Sequence, residues 1–510
     1  MGCAVPAHVI KLLCISGVQI MMKSNMDYIQ ARDLLLSLTA AGIATEYVSL
    51  EESVGRVLAF ALHARENVPA FDRSPYDGYA FRAADTKDAG RDNPAELRII
   101  EEIPAGSVPT KTITQGTAAK ILTGAPIPEG ADAVVMFEKT EFTTDSVKIF
   151  ECAEPGDNIV RIGEDVKKGQ LLADAGTVID AGLAGTLAAQ GISRPMVFKR
   201  PVVGIISTGS ELVEFDGTNQ REETDDANKS EKSVCCGEST KSTDENKPEV
   251  CNTADENRLN ESGRNEPGQI VPGKIRNTNR YTFAAALQKD GCETVYLGTA
   301  RDDVDEIRSL IDKGLRDCDM IILTGGVSVG DYDLTPEAMQ GAGCEILAKG
   351  VNLKPGMACC YGVYEMTRDA EKAEINCVNG SEYDSVRSDQ NDGLTAAGGK
   401  LVCALSGNPS SSLINYYAVV RPAVRKLAGL KKYLPEQISV TLAENFGKKS
   451  KATRILKGHL DISNGQVMMH IPKGQGNVMI GSSIGCDVMA IVPAGSGALE
   501  AGTRLEGFLV

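Results

Sequence analysis

Residues 320–333, Met-Ile-Ile-Leu-Thr-Gly-Gly-Val-Ser-Val-Gly-Asp-Tyr-Asp, join an apolar run to a glycine-rich turn that ends in acids. The apolar run at 320–323 predicts a strand buried on both faces, which is typical of a parallel sheet covered by helices. Three glycines within six residues allow the backbone to approach a ligand closely. Asp331 and Asp333 supply oxygen donors of the kind that Mg²⁺ prefers. The alternative is an ordinary glycine-rich turn between a strand and a helix.

Polar loops also follow three other predicted strands, at 202–207, 293–297 and 401–405. They are, in chain order, Ser207-Thr208-Gly209-Ser210-Glu211, then Arg301-Asp302-Asp303, then Ser406-Gly407-Asn408-Pro409-Ser410-Ser411. Successive backbone amides at such bends can bind an anion, although an acidic pair after a strand is more often a helix N-cap. Ligands of doubly wound sheets bind beyond the carboxyl ends of the strands. The repetition therefore predicts a doubly wound, mostly parallel α/β domain with a ligand site at that edge.

Changes in sequence character divide the chain into four predicted domains within a multi-domain α/β protein. In chain order they are a discontinuous α+β linking domain at 26–70 and 153–195, a β-rich domain at 71–152, the α/β domain at 196–430, and a C-terminal β domain at 435–510. The linking domain begins with a helical pattern over 28–41. Two polar, charged segments, about 216–268 and 368–400, predict disordered insertions in the α/β domain.

Length, charge and cysteine spacing exclude several classes of protein. A chain of 510 residues is too long for one core, and its formal charge of −16 argues against a nucleic-acid-binding surface. No apolar run reaches the roughly 18 residues of a membrane span. The 14 cysteines include no Cys-x-x-Cys and accompany only 4 histidines, which argues against a disulfide framework or a zinc site. We therefore expect a reduced, cytoplasmic protein.

Three further motifs place a charged or polar side chain on a turn. Residues 74–80, Ser-Pro-Tyr-Asp-Gly-Tyr-Ala, hold Asp77, and residues 122–126, Leu-Thr-Gly-Ala-Pro, hold Thr123. Each of these two is, by itself, better explained as a structural turn. Lys354, in Lys-Pro-Gly at 354–356, is a point charge on a fixed bend that suits an oxyanion. The chemistry predicted is anion binding with metal help, because neither a Ser/His/Asp constellation nor a P-loop is present.

Together and in this order, these motifs and Gly-Glu-Asp at 163–165 resemble the molybdopterin molybdenumtransferase family. That family includes the bacterial molybdenum-insertion enzyme and the E domain of gephyrin. The resemblance covers residues 26–510 apart from the two insertions. It implies an L-shaped homodimer of four-domain subunits that binds adenylylated molybdopterin. It also implies Mg²⁺-dependent hydrolysis that releases AMP and transfers molybdate to the dithiolene. Partners of such an enzyme include the molybdopterin adenylyltransferase and recipient apo-molybdoenzymes.

The resemblance also assigns roles to residues of this chain. Asp77 and Thr123 would reach the cleft from the β-rich domain of the second subunit, and Asp165 would lie in the linking domain. The remaining catalytic residues would hold metal and pyrophosphate: Glu211, Asp302 and Asp333. The cofactor-binding set would comprise Thr208, Gly209, Ser210, Gly325, Gly326, Ser328, Gly330, Lys354, Pro355, Ser406, Gly407, Asn408, Pro409, Arg454 and Ser483.

Three positions depart from the common pattern of the family. Gly350, with Lys349 beside it, stands where a basic residue is frequent, Met357 stands where lysine is common, and Ser406 replaces a frequent proline. Two other hypotheses remain: a non-catalytic scaffold like the gephyrin E domain, and an unrelated nucleotide-dependent transferase. The acids Asp77, Glu211 and Asp333 favour an enzyme over a scaffold, and no nucleotide-binding fingerprint supports the unrelated transferase.

Overall fold

The computed structural model describes residues 12–15, 18–21, 23–214, 270, 272–327, 334–365, 399–463 and 465–510. The predicted disorder at 216–268, and nearly all of that at 368–400, falls outside the described residues. So do the predicted site residues Ser328, Gly330 and Asp333 and the neighbouring Asp331. None of the described helices has the length and apolar character needed to cross a membrane.

A seven-stranded sheet forms the centre of the α/β region. Its strands are β1 (Lys23–Met26), β2 (Val202–Thr208), β3 (Glu293–Ala300), β4 (Met320–Thr324), β5 (Glu345–Val351), β6 (Cys359–Tyr364) and β7 (Lys400–Leu405). The order across the sheet is β3-β2-β4-β7-β6-β5-β1. All neighbouring strands are parallel except β6, which is antiparallel to both β5 and β7. The mixed α/β fold class predicted from the sequence is therefore confirmed.

Burial on both faces explains the unbroken apolar runs of the central strands. In β4, Met320 and Ile322 belong to one hydrophobic core, whereas Ile321 and Leu323 belong to a second core on the opposite face. Successive side chains of a strand point to opposite faces, so both faces must be apolar where helices cover both. Each of the four strands predicted from these runs is present, and each is one to three residues longer than predicted.

The helices cover this sheet and extend into the linking region. They are α1 (Tyr28–Ser37), α2 (Ala181–Ala189), α3 (Thr278–Lys289), α4 (Val304–Asp317), α5 (Leu334–Gly341), α6 (Pro409–Asn415) and α7 (Arg421–Leu427). A π-helical turn, Tyr416–Val420, joins α6 to α7. Ala31 and Leu35 of α1, four residues apart on one face, pack in the core of the α/β sheet. The helix that the sequence analysis placed in the linking domain thus contributes to the α/β core.

Among the described residues, two further sheets and four short strand pairs complete the fold. The β-rich region contributes six strands, Gly78–Phe81, Ala95–Ile103, Thr117–Ile121, Ala133–Met136, Thr140–Phe142 and Ser146–Ile149. The six strands of the C-terminal sheet are Leu353–Lys354, Gln437–Leu442, Thr453–Ser463, Gln466–His470, Val488–Val492 and Arg504–Leu509. The short pairs are Leu12–Ile15 with Val18–Met21, Thr45–Tyr47 with Met196–Phe198, Leu62–His63 with Leu171–Ala173, and Leu212–Val213 with Ile275–Arg276.

Candidate functional site

The four loops singled out in the sequence follow strands that are direct neighbours in the sheet. Thr208 pairs with Ala300, Ser207 with Thr324, and Thr324 in turn with Leu405. Because these strands are parallel, their carboxyl ends lie at one edge. Tertiary structure therefore brings the loops after β3, β2, β4 and β7 together in that order.

Two glycines let these loops approach one another. A Cβ on Gly325 would lie 2.3 Å from Thr208 Oγ1, and one on Gly326 would lie 2.3 Å from Thr335 Oγ1. Both glycines also have a positive φ, 105° and 62°, which other residues rarely adopt. The Gly325 amide donates to the Leu405 carbonyl at 3.0 Å. In the described part of this turn, the glycines allow loops to contact each other closely.

The first part of the site, which we call the acidic edge, comprises residues 208–211 and Asp302. The Ser210 amide donates to Asp302 Oδ2 at 3.2 Å, and Ser210 Oγ accepts from the Asp302 amide at 3.3 Å. Glu211 is exposed, and its Oε2 lies 2.5 Å from where a Cβ on Gly209 would be. Asp303 caps α4 by accepting from two amides of its first turn. The two adjacent acids therefore have different contacts: Asp302 bonds to the loop at Ser210, and Asp303 caps α4.

The acidic edge has the donor chemistry of a magnesium site. Glu211 and Asp302 offer only oxygen atoms and lie on loops joined by hydrogen bonds. Mg²⁺ is usually held by one or two carboxylates together with substrate phosphates. Within the described residues no group of three metal-ligating side chains is present, and Asp333 lies outside them. The carboxylates of Glu211 and Asp302 therefore fit this cation.

The second part of the site is a cavity of about 460 Å³ between the turn at 349–357 and the loop at 406–411. We call it the basic cavity, because Lys349 and Lys354 are the charged residues among its described lining. Ser406, Asn408, Ser411 and Asn477 are among its polar lining residues. Lys349, next to Gly350, places a basic side chain at this wall although Gly350 itself departs from the family pattern. A cavity lined in this way suits an anion.

The C-terminal sheet forms part of the surroundings of the basic cavity. Leu353–Lys354 pairs in parallel with the strand Thr453–Ser463, so that Lys354 lies opposite Arg454. Arg454 is only 6% exposed, and its Nε has no hydrogen-bond partner among the described residues. Burial lowers the pKa of Arg454 from its ordinary value. Two cations that the sequence analysis took from separate domains are therefore neighbours.

Lys457 is not among the site residues predicted from the sequence. This side chain is fully buried and donates to Ser410 Oγ at 2.7 Å and to Ser483 Oγ at 2.9 Å. The only signal in the sequence was a lysine inside the apolar run Ile455-Leu456-Lys457. Such a residue does not reveal its partners without tertiary structure.

Gly407 and its neighbours in the chain connect the acidic edge to the basic cavity. A Cβ on Gly407 would lie 3.5 Å from the Cα of Gly325, and the Gly407 carbonyl accepts from Asn279 Nδ2 at 2.9 Å. Asn279 Oδ1 is buried without a partner in the described structure. The residues before and after Gly407, Ser406 and Asn408, line the cavity, and Pro409 begins α6. The two parts of the site therefore form one continuous edge.

Asp77, Thr123 and Asp165 lie in the β-rich and linking regions. Asp77 Oδ1 accepts from the Thr123 amide at 2.7 Å and from its hydroxyl at 2.8 Å. These two hydrogen bonds lower the pKa of Asp77 from its ordinary value. Asp165 is exposed, and its amide donates to the Val68 carbonyl. The structure thus joins Asp77 to Thr123, and the hydrogen bonds of this pair stay inside the β-rich region.

The chain is similar in sequence to known proteins over most of its length. Residues 26–191 match the family model described as "MoeA N-terminal region (domain I and II)", and residues 204–426 match the one described as "Probable molybdopterin binding domain". The chain is 30% identical over 472 residues to a molybdopterin molybdenumtransferase of Bacillus subtilis (strain 168), covering 91% of this chain and 90% of the relative. It is 31% identical over 462 residues to the protein of that name from Staphylococcus aureus (strain N315), covering 90% of each chain.

A solved structure is similar over nearly the whole chain. The molybdopterin biosynthesis moeA protein of Pyrococcus horikoshii OT3 superposes with a TM-score of 0.69 at 27% identity. The superposition covers 95% of this chain and 100% of that one. The likeness therefore extends to the multi-domain architecture.

Proposed function

The chain belongs to the molybdopterin molybdenumtransferase family, enzymes of molybdenum cofactor biosynthesis, and from that premise we propose that it inserts molybdenum into adenylylated molybdopterin. In this reaction, the last step of the pathway, water hydrolyses the pyrophosphate link and AMP leaves. The dithiolene sulfurs replace oxygen ligands of molybdate, and the oxygen leaves as water with the thiol protons. The observation that carries the proposal is the continuity of an acidic edge and a basic cavity along one sheet edge. A reaction that joins a phosphorylated pterin to an oxyanion requires both kinds of subsite.

In this proposal the acidic edge binds the pyrophosphate. Thr208, Gly209 and Ser210 would lie next to the phosphates, while Glu211 and Asp302, together with Asp333, would hold Mg²⁺. When bound, the cation neutralises charge on the phosphates. The protein positions the link to be cleaved, because Gly325 and Gly326 bring the β4 loop against Thr208.

The basic cavity binds molybdate and the adjoining part of the pterin. Lys354 and Arg454 supply positive charge, and Ser483 together with residues 406–408 supplies hydrogen-bond donors. An oxyanion is attracted into a partly desolvated site more strongly than into open water, since charges interact more strongly where water is excluded. Arg454 Nε has no hydrogen-bond partner among the described residues, and the guanidinium lies over the Phe446 ring, 5.7 Å from its centroid.

We also propose that the enzyme works as a cytoplasmic homodimer. Asp77, held by Thr123, would then reach the acidic edge of the second subunit, and Asp165 would act from the linking domain. Among the described residues no two cysteines are joined by a disulfide, which suits a reducing compartment. Protein partners follow from the chemistry: an adenylyltransferase that supplies the substrate, and apo-molybdoenzymes that receive the product.

The function is tested by measuring AMP release from adenylylated molybdopterin by the full-length protein. We expect release that requires Mg²⁺ and is stimulated by molybdate, and we expect Asp333→Asn to abolish it while the protein stays folded by circular dichroism. Release of AMP that is indifferent to both ions would contradict the proposal. Unchanged turnover by the Asp333→Asn variant would refute the role of that residue.

A further inference from the structure

Lys457 is a buried cation whose hydrogen-bond partners are all neutral. It lies in the strand Thr453–Ser463 and is 0% exposed. Its Nζ donates to Ser410 Oγ, to Ser483 Oγ and, at 3.2 Å, to the Met479 carbonyl. None of the salt bridges found in the described part of the chain includes it. Burying a charge without a counter-charge is costly, so its presence here needs a reason.

The three hydrogen bonds fix the direction of two hydroxyl protons. An ammonium has three donors and no acceptor, and Lys457 has three acceptors around it. A serine hydroxyl that accepts from the ammonium must direct its own proton elsewhere. Ser410 and Ser483 are therefore held as donors toward other groups. For Ser483, which is only partly buried, such a group can come from a ligand.

Lys457 also joins two parts of the structure that enclose the basic cavity. Ser410 belongs to α6 of the α/β region, whereas Ser483 ends the 3₁₀ turn Ile480–Ser483 of the C-terminal region. The amides of Ser410 and Ser411 both donate to the Asn477 carbonyl, at 3.1 and 3.2 Å, and Asn477 lines the cavity. The ammonium thus lies where α6, the C-terminal strand and the cavity wall meet.

We propose that Lys457 is a positioning residue for oxyanion binding. By donating to Ser410 and Ser483, it holds α6 against the C-terminal domain and directs the Ser483 hydroxyl proton toward the oxyanion. Its uncompensated charge adds to the attraction that the cavity exerts on an anion. Burial lowers the pKa of Lys457 and outweighs the opposite effect of the nearby Cys486 thiol, as expected of a cation whose hydrogen-bond partners are all neutral. This inference rests on the proposed function, because it assigns Lys457 to the molybdate subsite.

The test replaces Lys457 by methionine in the full-length protein, which keeps the stem and removes the charge and the donors. We expect the KM for molybdate in AMP release to rise about tenfold or more, as for loss of a charge-assisted hydrogen bond, with kcat at saturating molybdate changed less than about twofold. Calorimetry with molybdate alone should show the same weakening. Adding Ser483→Ala to Lys457→Met should weaken molybdate binding by less than about twofold more, because the two residues act together.

Controls separate this role from a purely structural one. Lys473→Met, at an exposed lysine of the same domain, should leave the molybdate KM unchanged. A lower melting temperature of Lys457→Met with an unchanged molybdate KM would overturn the proposal. If Lys457→Met does not fold, Lys457→Arg is measured instead. A molybdate KM within about threefold of wild type supports the proposal, and a larger increase in a folded Lys457→Arg variant opposes it. If the wild type shows no molybdate-dependent AMP release, the proposed function is wrong. Calorimetry would still measure the effect of Lys457 on molybdate binding.

Discussion

The acidic edge and the basic cavity lie along the same sheet edge but are built in different ways. The acidic edge consists of loops that directly follow parallel strands of one domain, and its hydrogen bonds run between adjacent loops. The basic cavity depends on a junction between two domains, where Leu353–Lys354 joins the C-terminal sheet and Lys457 contacts α6. Within one site, therefore, local chain geometry forms one half and domain packing forms the other. Each half should therefore respond differently to mutation.

The largest effect is expected at the acidic edge. Asp302→Asn should lower kcat for AMP release about 100-fold or more, because it removes a charge from the proposed cation site and alters the partner of the Ser210 amide. Calorimetric binding of molybdate should stay within about twofold of wild type, since the basic cavity is untouched. Asp305→Asn, at an exposed acid in the first turn of α4, is the matched control and should retain activity. An equal loss of molybdate affinity in Asp302→Asn would mean that the two halves are not separable.

The same variant tests whether a second subunit completes the acidic edge. Dimers of Asp77→Asn chains alone, or of Asp302→Asn chains alone, should be inactive. When the two kinds of chain are mixed and dimers re-form at random, half the dimers contain one chain of each kind, and one of the two sites in such a dimer is intact. The mixture should therefore recover about a quarter of wild-type activity. Activity is measured as AMP release after unfolding and refolding of the mixture. No recovery would place Asp77 and Asp302 in the same chain's site.

A smaller effect is expected in the basic cavity. Lys354→Met should raise the KM for molybdate about tenfold, because a positive charge beside Arg454 is lost, and should leave kcat at saturating molybdate and the Mg²⁺ dependence near wild type. Steady-state AMP release at varied molybdate measures this, with the exposed Lys449→Met as the control. A loss of kcat without a change in KM would assign Lys354 to the cleavage step and would remove the distinction between the halves.

The smallest effect on turnover is expected at Glu214, which follows the acidic edge. Burial alone would raise the pKa of Glu214, but hydrogen bonds from Tyr296, Asn277, Arg280 and Thr299 outweigh it and hold the pKa below its ordinary value. A carboxyl whose pKa is lower in the folded than in the unfolded protein stabilises the fold at pH values above its pKa in the unfolded protein, about 4.3. This stabilisation is lost as the pH falls through the pKa of the folded protein. Glu214→Gln should therefore lower the free energy of unfolding by about 2 kcal/mol near neutral pH, discounted for the partly exposed Arg280.

Urea unfolding at several pH values measures this difference. The gap between wild type and Glu214→Gln should narrow as the pH is lowered from about 7 to about 3, while AMP release at neutral pH changes less than about twofold. A gap that is independent of pH would show that the charge of Glu214 does not contribute to stability. A large loss of turnover would extend the acidic edge to include this residue.

The sequence predicted the acidic edge better than the basic cavity. The strands before the loops at Thr208, Asp302, Gly325 and Ser406 were found within a few residues, because apolar runs buried on both faces have a clear signature. Strands β5 and β6 were not predicted, because Gly350 and Gly362 interrupt their apolar pattern. These two antiparallel strands lie before and after the turn that holds Lys354. The packing of α1 in the α/β core was also missed, because a helical stripe shows which face is buried but not against what.

By itself, the sequence determined the alternating strands and helices, the glycine and acid loops at the strand ends, and through them the family. These features are set within short stretches of chain, where side-chain periodicity and turn chemistry act directly. Only the tertiary structure decided that Lys354 lies beside Arg454, and that Lys457 contacts Ser410 and Ser483, residues 47 and 26 positions away. The physical reason is that contacts between distant segments depend on how domains pack, and a lysine in a strand carries no local mark of the partner it will meet.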